Sequence, residues 1–369
     1  MIKFLFNKVL NIFLALFGVV TIIFFLFNIL PSDPAQMMLG QIENEEQIRN
    51  INKKFGFDLS IEKQYICYLN DLSPISIHTN NNKDFNYYDK FKYGGLVLFS
   101  ISQYYLILKL PFLRTSYQKF GKPVADIIKE TLPNTFILAL SSIIIATFFG
   151  ILFGIISALN KKNIIDKLLQ FVCTLGMSMP SFFSAILFSW FFGFILTDYT
   201  NLNMTGSLYE LDDYGEVNEL KLKNLILPAF VLGIRPLSVI IQLMRTSLID
   251  VLNQDYIRTA KAKGLSVFKI IYSHCLKNSL NPVITVLSGW FASLLAGSIF
   301  VEYVFGWKGL GKELETDIEA LDYFFSKVSK LKFDLKKIRL RLHPLENELK
   351  YRSVVNKYIE RFEIDIING

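Results

Sequence analysis

Long apolar segments alternate with polar stretches along the chain, and five of them reach the length of a membrane span. They cover residues 9–30, 135–159, 168–196, 225–244 and 283–304. A helix needs about 20 mostly apolar residues to cross the hydrocarbon core of a bilayer, so each segment is long enough. The first is too long for the apolar region of a signal peptide and is expected to remain as an anchor. The pattern predicts an all-α polytopic membrane protein.

Composition agrees with that class. Hydrophobic residues make up 52% of the 369 residues, with 34 Phe among them, and ordinary soluble domains carry more charge and less Phe. The net charge of +7 does not indicate a nucleic-acid partner, because no basic face with interleaved aromatics lies outside the apolar segments. The cysteines and histidines lack metal-ligand spacing, so neither a metal site nor a cofactor is predicted.

The charges of the connecting loops predict the orientation of the spans. The amino terminus and residues 160–167 and 245–277 are basic, whereas the loop after the third segment is mainly acidic. Short cytoplasmic loops carry an excess of Lys and Arg, so the basic loops are assigned to the cytoplasm. If the spans alternate, the amino terminus is cytoplasmic and residues 31–130 form an extracytoplasmic domain.

Part of that outer domain, residues 92–117, is apolar enough to be mistaken for another span. Its runs LVLFSI and YYLILKL are β-branched and aromatic and are separated by Ser102 and Gln103, which predicts a β-hairpin. A span here would also reverse the orientation of every later loop. The hairpin is therefore the favoured interpretation.

The stretch DYIRTAKAKGLSVFKIIYSHCLKNSLNP, residues 255–282, is a basic loop between the fourth and fifth segments. Its first part holds good helix formers, and Gly264 stands where a helix ends and the chain turns. Residues 267–280 resume an amphipathic pattern, so two short helices joined at a glycine are expected along the membrane face. Small residues at the tip, Thr259 and Ala260, allow close approach of a partner's groove. The flanking cations that can pair with carboxylates are Arg258, Lys261 and Lys263.

This loop resembles the cytoplasmic coupling loop of ABC-transporter permeases, specifically the binding-protein-dependent dipeptide and oligopeptide importers. In the wider superfamily the motif reads Glu-Ala-Ala, then three residues, Gly, nine residues and Ile-x-Leu-Pro. Only Ala260, Gly264 and Leu276 of this chain match that pattern. The residues RTA and the later KN are instead typical of the peptide branch. Other stretches resemble that branch in the same order: LPSDPA at 30–35, FGFDLSIEKQY at 55–65, PSFF at 180–183 and LLAGSIFVEYVFGWKGLGKEL at 294–314.

The resemblance covers about residues 1–315 and implies a type I ABC importer permease fold in a bacterial inner membrane. It also implies import of dipeptides, longer peptides or nickel, with ATP-binding subunits, a second permease subunit and an extracytoplasmic substrate-binding protein as partners. The implied ATPase-coupling residues are Arg258, Thr259, Ala260, Lys261, Lys263, Gly264 and Leu276. The chain has no Walker A loop and no Ser/His/Asp set, so it is not expected to be an enzyme.

Four further residues are candidates for the pathway or for helix packing. Arg235 lies in the middle of the fourth segment, where a charge is costly, and faces either the bundle interior or, as a snorkelling side chain, the interface. Glu302 is either a pathway carboxylate or a solvated group at the rim, and the rim is favoured. Pro180 predicts a kink or break in the third segment, and Gly297 is expected to allow close helix packing.

Two parts of the chain depart from the resemblance. Residues 73–116 look like an insertion, and residues 316–369 hold no apolar run that replaces the family's sixth span. This charged helical tail indicates a frameshifted or fused reading frame, an interfacial helix or a divergent end, of which the first is favoured. The expected divisions are an anchor at 1–30, the outer domain at 31–130, a permease core at 131–315 with the coupling loop at 245–281, and the tail.

Three hypotheses compete with peptide import by an ABC permease. A secondary transporter would need intramembrane acids or histidines for proton coupling, and the spans do not provide them. The second hypothesis is a membrane scaffold without an ATPase, and the third is a non-functional truncated or fused permease copy.

Overall fold

The computed structural model describes residues 2–29, 45–82, 84–116, 119, 121–211 and 218–313. The predicted tail, residues 316–369, and the LPSDPA stretch lie outside the described residues. The described part consists mostly of apolar helices, with a small α/β region between the first and second long helices.

The α/β region follows the long helix α1. Helix α1 spans Ile2–Ile29. The elements of the α/β region are α2 (Glu45–Phe55), α3 (Ile61–Leu72), β1 (Ile75–Thr79), α4 (Lys90–Tyr93), β2 (Leu96–Ile101) and β3 (Tyr104–Leu108). The strand order is β1-β3-β2, and both pairs are antiparallel. The predicted hairpin is confirmed as β2 and β3, with a turn at Ser102 and Gln103 in which Ser102 has a φ of 54°.

Strand β1 was not predicted, because its pattern is the reverse of an ordinary half-buried strand. Ser76 and His78 are fully buried, whereas Ile75 and Ile77 are more than half exposed. The inward side chains meet a polar cluster rather than an apolar core: the Nε2 of His78 lies 3.1 Å from the hydroxyl of Ser76, and Tyr93 packs on the imidazole. Burial, with a contribution from nearby Lys109, lowers the pKa of His78.

The remaining elements form the membrane part. Their bounds are α5 (Val124–Leu159), α6 (Ile164–Ser178), α7 (Ser181–Trp190), α8 (Thr197–Thr200), β4 (Tyr209–Leu211), β5 (Asn218–Leu220), α9 (Lys223–Leu252), α10 (Asp255–Ala262), α11 (Val267–Ile270), α12 (Leu276–Gly297) and α13 (Ile299–Phe305). A π-helical turn extends α7 through Ile195, and a second one, Ile271–Cys275, joins α11 to α12.

Among the described residues, four helices are long and apolar enough to cross a membrane: α1, α5, α9 and the run from α11 into α12. The third predicted span is not one helix, because α6 and α7 meet at Met179 and Pro180 with an angle of 111°. Proline cannot continue the hydrogen-bond ladder, so the break falls where the sequence predicted a kink or break. Five spans are reached only if this bent pair counts as one.

The boundary of the fifth predicted span, residues 283–304, is wrong. The helical run begins at Val267 and α12 ends at Gly297, and α13 is a separate short helix. Val301 and Phe305 are buried, and α13 packs against α7. The second short helix predicted in the basic loop is α11, and it continues through the π-helical turn into α12. Hydropathy alone does not locate either boundary, because the run begins with an amphipathic stretch and the separate helix α13 is apolar apart from Glu302.

Helix α9 packs along α5 over most of its length. Small residues allow this approach: a Cβ added at Gly150 would lie 2.6 Å from the side chain of Ile240, and one added at Gly154 would lie 2.6 Å from Met244. Such close contacts let helix backbones approach in a membrane, so these two glycines serve packing.

Alanine at Gly154 is expected to destabilise the protein by about 1–3 kcal/mol, because the added methyl group would overpack against Met244 and the carbonyl of Ile241. The matched control is Gly289→Ala in α12, where no described atom lies within 4 Å of the added Cβ. Alanine favours helix over glycine by about 1 kcal/mol, so the control is expected to raise stability slightly. Thermal unfolding of the purified protein in detergent measures both, and equal effects would refute close packing at Gly154.

Candidate functional site

Helix α10 projects from the end of α9 and carries most of the residues predicted for coupling. It begins at Asp255, three residues after α9 ends, and Gly264 follows it with a φ of 74°. The predicted first helix of the loop and the glycine turn are therefore present. This positive φ favours glycine, because a Cβ strains the backbone there.

The helix is held against the membrane helices by its own inward face. Ile257 and Ala260 are buried in an apolar cluster that also contains Leu248, Ile270 and Val283. The amide of Asn278 in α12 donates a hydrogen bond of 3.0 Å to the hydroxyl of Tyr256. Helix α10 therefore rests on the ends of α9 and α12.

Two residues predicted to contact a partner instead face the protein's own core. Ala260 is only 5% exposed, so it does not lie at a tip, and its small side chain lets α10 sit close to the cluster beneath it. Leu276 packs against the same cluster. The conformation of the loop, which the sequence pattern does not specify, decides which small residues face inward.

The other predicted coupling residues are exposed. They are Arg258, Thr259, Lys261, Lys263 and Gly264. Arg258 pairs with Asp255 at 3.1 Å, but both side chains are at least 75% exposed, and such pairs contribute little. Lys261 and Lys263 form no ion pair within the described part of the chain. The outer face of α10 is therefore positively charged.

An aromatic pair beside α10 was missed. Phe268 and Tyr272 stack with ring centroids 6.3 Å apart and planes 2° apart, and their side chains are 79% and 70% exposed. Their spacing of four residues was the available signal, because it places both rings on the helix face opposite the buried Ile270 and Ile271. We call the exposed surface formed by Arg258, Thr259, Lys261, Lys263, Gly264, Val267, Phe268 and Tyr272 the loop surface.

A partly buried ion pair connects α9 to α6. The guanidinium of Arg245 donates to both carboxylate oxygens of Asp166, at 2.6 and 2.7 Å, and the Asp166 side chain is 5% exposed. The hydroxyl of Ser157 and the backbone N–H of Lys162 also donate to this carboxylate. The sequence analysis did not predict this ion pair, because Asp166 lies in a basic turn and Arg245 was counted among the charges of the cytoplasmic loop.

Arg235 and Pro180 lie beside a cleft between α7, α9 and α12. The cleft has a volume of about 80 Å³, and Arg235 lines it together with Ser181, the residue after Pro180. Arg235 is exposed rather than buried. Gly297 ends α12, and its packing is outside what the structure describes.

The interpretation of Glu302 as a solvated rim carboxylate is wrong, because its side chain is fully buried. It accepts hydrogen bonds from the hydroxyls of Thr135 and Ser298, both at 2.8 Å, and from the backbone N–H of Gly311 at 2.7 Å. Gly309 and Gly311 leave no room for a Cβ beside the carboxylate. Glu302 thus ties α13 and the following loop to α5.

Glutamine at Glu302 is expected to destabilise the protein by about 1–3 kcal/mol, because an amide nitrogen cannot accept and leaves one buried donor without a partner. Glu219→Gln serves as the control, since its pair with Lys221 is about half exposed and contributes little. Melting temperatures in detergent should fall for the first variant alone. Unchanged melting of the Glu302 variant would show that the carboxylate does not hold this region together.

Comparison with known protein families gives two matches. The family described as "Binding-protein-dependent transport system inner membrane component" matches residues 150–329. The family "Binding-prot-dependent transport system membrane comp, N-term" matches residues 1–82. The first match continues past residue 315, where the departure from the resemblance was placed.

Curated relatives resemble the chain over most of its length. The oligopeptide transport system permease protein AppB of Bacillus subtilis is 30% identical over 312 residues, 84% of each chain. The dipeptide transport system permease protein DppB of the same organism is 30% identical over 305 residues, 83% of this chain and 82% of the relative. DppB of Alkalihalophilus pseudofirmus is 29% identical over 336 residues, 88% and 90% of the two chains.

A solved structure of the methionine ABC transporter MetNI in an inward-facing conformation also matches. It covers 62% of this chain and 100% of the other, with 12% identity and a TM-score of 0.41.

Proposed function

The chain belongs to the family of binding-protein-dependent transport system inner membrane components and is an ABC-transporter permease of the peptide branch, and we propose that it imports dipeptides or oligopeptides into a bacterial cell. The observation that carries this proposal is the identity of about 30% to peptide permeases over most of both chains. Family members are transport components rather than enzymes, so ATP hydrolysis belongs to separate subunits.

In this proposal the amino terminus and the basic loop are cytoplasmic, as their Lys and Arg content favours. Residues 31–130 form an extracytoplasmic domain, 131–315 the permease core and 245–281 the coupling loop. A second permease subunit completes the channel, and an extracytoplasmic binding protein delivers the peptide.

The loop surface is the proposed contact with an ATP-binding subunit. Its cations suit carboxylates around a groove, and its stacked aromatic pair offers the kind of anchor that protein interfaces favour. Because α10 rests on the ends of α9 and α12, motion of the ATPase would displace both helices. The Arg245–Asp166 pair would carry that displacement to α6 and, through the break at Pro180, to the cleft beside α7.

Uptake in cells tests the proposed function. A strain lacking its peptide permeases, but holding the matching ATPase, second permease and binding protein, is given this chain and a labelled dipeptide. Accumulation that depends on the chain is expected, and a labelled free amino acid is the control substrate. Failure to restore uptake of any peptide, with the protein present in the membrane, would reject the proposal.

A further inference from the structure

Arg235 is a charged residue at the middle of a membrane helix. It lies 12 residues from the beginning of α9 and 17 from its end, which places it roughly 18 Å and 25 Å from the two ends at 1.5 Å per residue. An ionisable group at such depth is costly unless a partner or water compensates it. The position therefore calls for a counter-charge or for water beside the guanidinium.

The chain itself does not provide that counter-charge among its described residues. Arg235 makes no hydrogen bond or ion pair with any of them. The two buried carboxylates of the described membrane part already have partners. Asp166 forms an ion pair with Arg245, and Glu302 accepts hydrogen bonds from Thr135, Ser298 and Gly311. Among the described residues of the chain, no buried carboxylate is left to pair with Arg235.

The surroundings of Arg235 are suited to a small polar group. The cleft is also lined by three serines and one tryptophan, which are Ser181, Ser184, Ser293 and Trp290. Ligand sites are typically apolar clefts with a few convergent polar groups, and this cleft combines Val231 and Leu294 with those hydroxyls. Its volume of about 80 Å³ holds several water-sized atoms, enough for a carboxylate.

We infer that Arg235 binds the terminal carboxylate of the peptide during its passage through the membrane. The inference rests on the proposed function, because each peptide with a free carboxyl end carries this group and a guanidinium pairs with a carboxylate through two parallel hydrogen bonds. The cleft lies beside the helix break at Pro180, and broken helices line the binding sites of other membrane transporters.

The test compares two peptides in proteoliposomes that hold the complete transporter and its binding protein. The peptides are labelled Ala-Ala with a free carboxylate and the same dipeptide with a terminal amide. Arg235→Gln is expected to lower the initial uptake rate of the free acid about tenfold or more, while uptake of the amide changes less than about twofold. Arg235→Lys, which keeps the charge, is expected to recover most of the loss. Any preference of the binding protein cancels when each variant is compared with wild type for the same peptide.

The amide of Ala-Glu separates the two sources of a carboxylate. It has a side-chain carboxylate and no terminal one, so its uptake is expected to resist Arg235→Gln if the terminal group is the ligand. An equal loss for the acid and the amide of Ala-Ala, or no loss for either, would assign Arg235 to packing or to a carboxylate of the second permease. Those results overturn the inference and leave peptide import standing. If wild type transports no peptide in any form, the proposed function fails and the inference fails with it.

Discussion

Alanine in place of Asp166 is expected to destabilise the protein by about 3 kcal/mol, because it leaves the partly buried guanidinium of Arg245 without its partner. Arg245 donates two short hydrogen bonds to that carboxylate, and Ser157 and the N–H of Lys162 donate two more. One substitution therefore deprives donors on three residues of their acceptor. Melting temperature and yield of purified protein in detergent measure this loss.

A double variant separates the pair from its two members. Asp166→Leu with Arg245→Met replaces both charges by apolar groups, and such replacements of buried pairs are often close to neutral. We expect the double variant to recover most of the stability that either single variant loses. If the two single losses simply add, the side chains act independently and the pair does not connect α6 to α9.

Charge reversal on the loop surface is the second large expected effect. Lys261→Glu with Lys263→Glu is expected to weaken binding of the ATP-binding subunit by about 3 kcal/mol, over a hundredfold in affinity, because attraction becomes repulsion. Both lysines are exposed and unpaired within the described chain, so folding should be unaffected. Co-purification of the subunit with tagged permease, at several salt concentrations, measures the change.

The control for this variant lies on the same predicted side of the membrane. Lys161→Glu with Lys167→Glu makes the same change of charge at exposed positions outside the loop surface, and it should leave the complex intact. An equal loss in both variants would indicate a general effect of charge rather than docking. Substitution of Ala260 is a poor test by comparison, since its burial couples any loss of binding to loss of folding.

Strong, simple patterns in the sequence located most of the fold. Long apolar runs identified α1, α5 and α9, although α5 begins eleven residues before residue 135, since its first turns are amphipathic. A single proline located the break between α6 and α7, and β-branched runs around a short turn located the hairpin. Each of these features is determined by residues that lie close together in the sequence.

Features that depend on contacts between distant segments could not be predicted. Glu302 looked like a rim residue because nothing nearby in sequence shows that Thr135 and Gly311 surround it. The burial of Ala260 depends on the turn at Gly264 and on the cluster beneath α10. The Arg245–Asp166 pair joins residues separated by 79 positions. For the candidate site, the sequence therefore identified the loop and its cations but not its inward face or its aromatic pair.

Accumulation of a labelled dipeptide in proteoliposomes is the most direct test of ATP-driven import through this permease. The vesicles contain this chain, the second permease and the ATP-binding subunits, with the binding protein outside and ATP inside. ATP-driven import predicts accumulation above the external concentration with ATP, none with a non-hydrolysable analogue, and none for the variant with glutamate at positions 261 and 263. Concentrative uptake that persists without the ATP-binding subunits, or in that variant, would show that import does not depend on ATP-driven coupling through the loop surface.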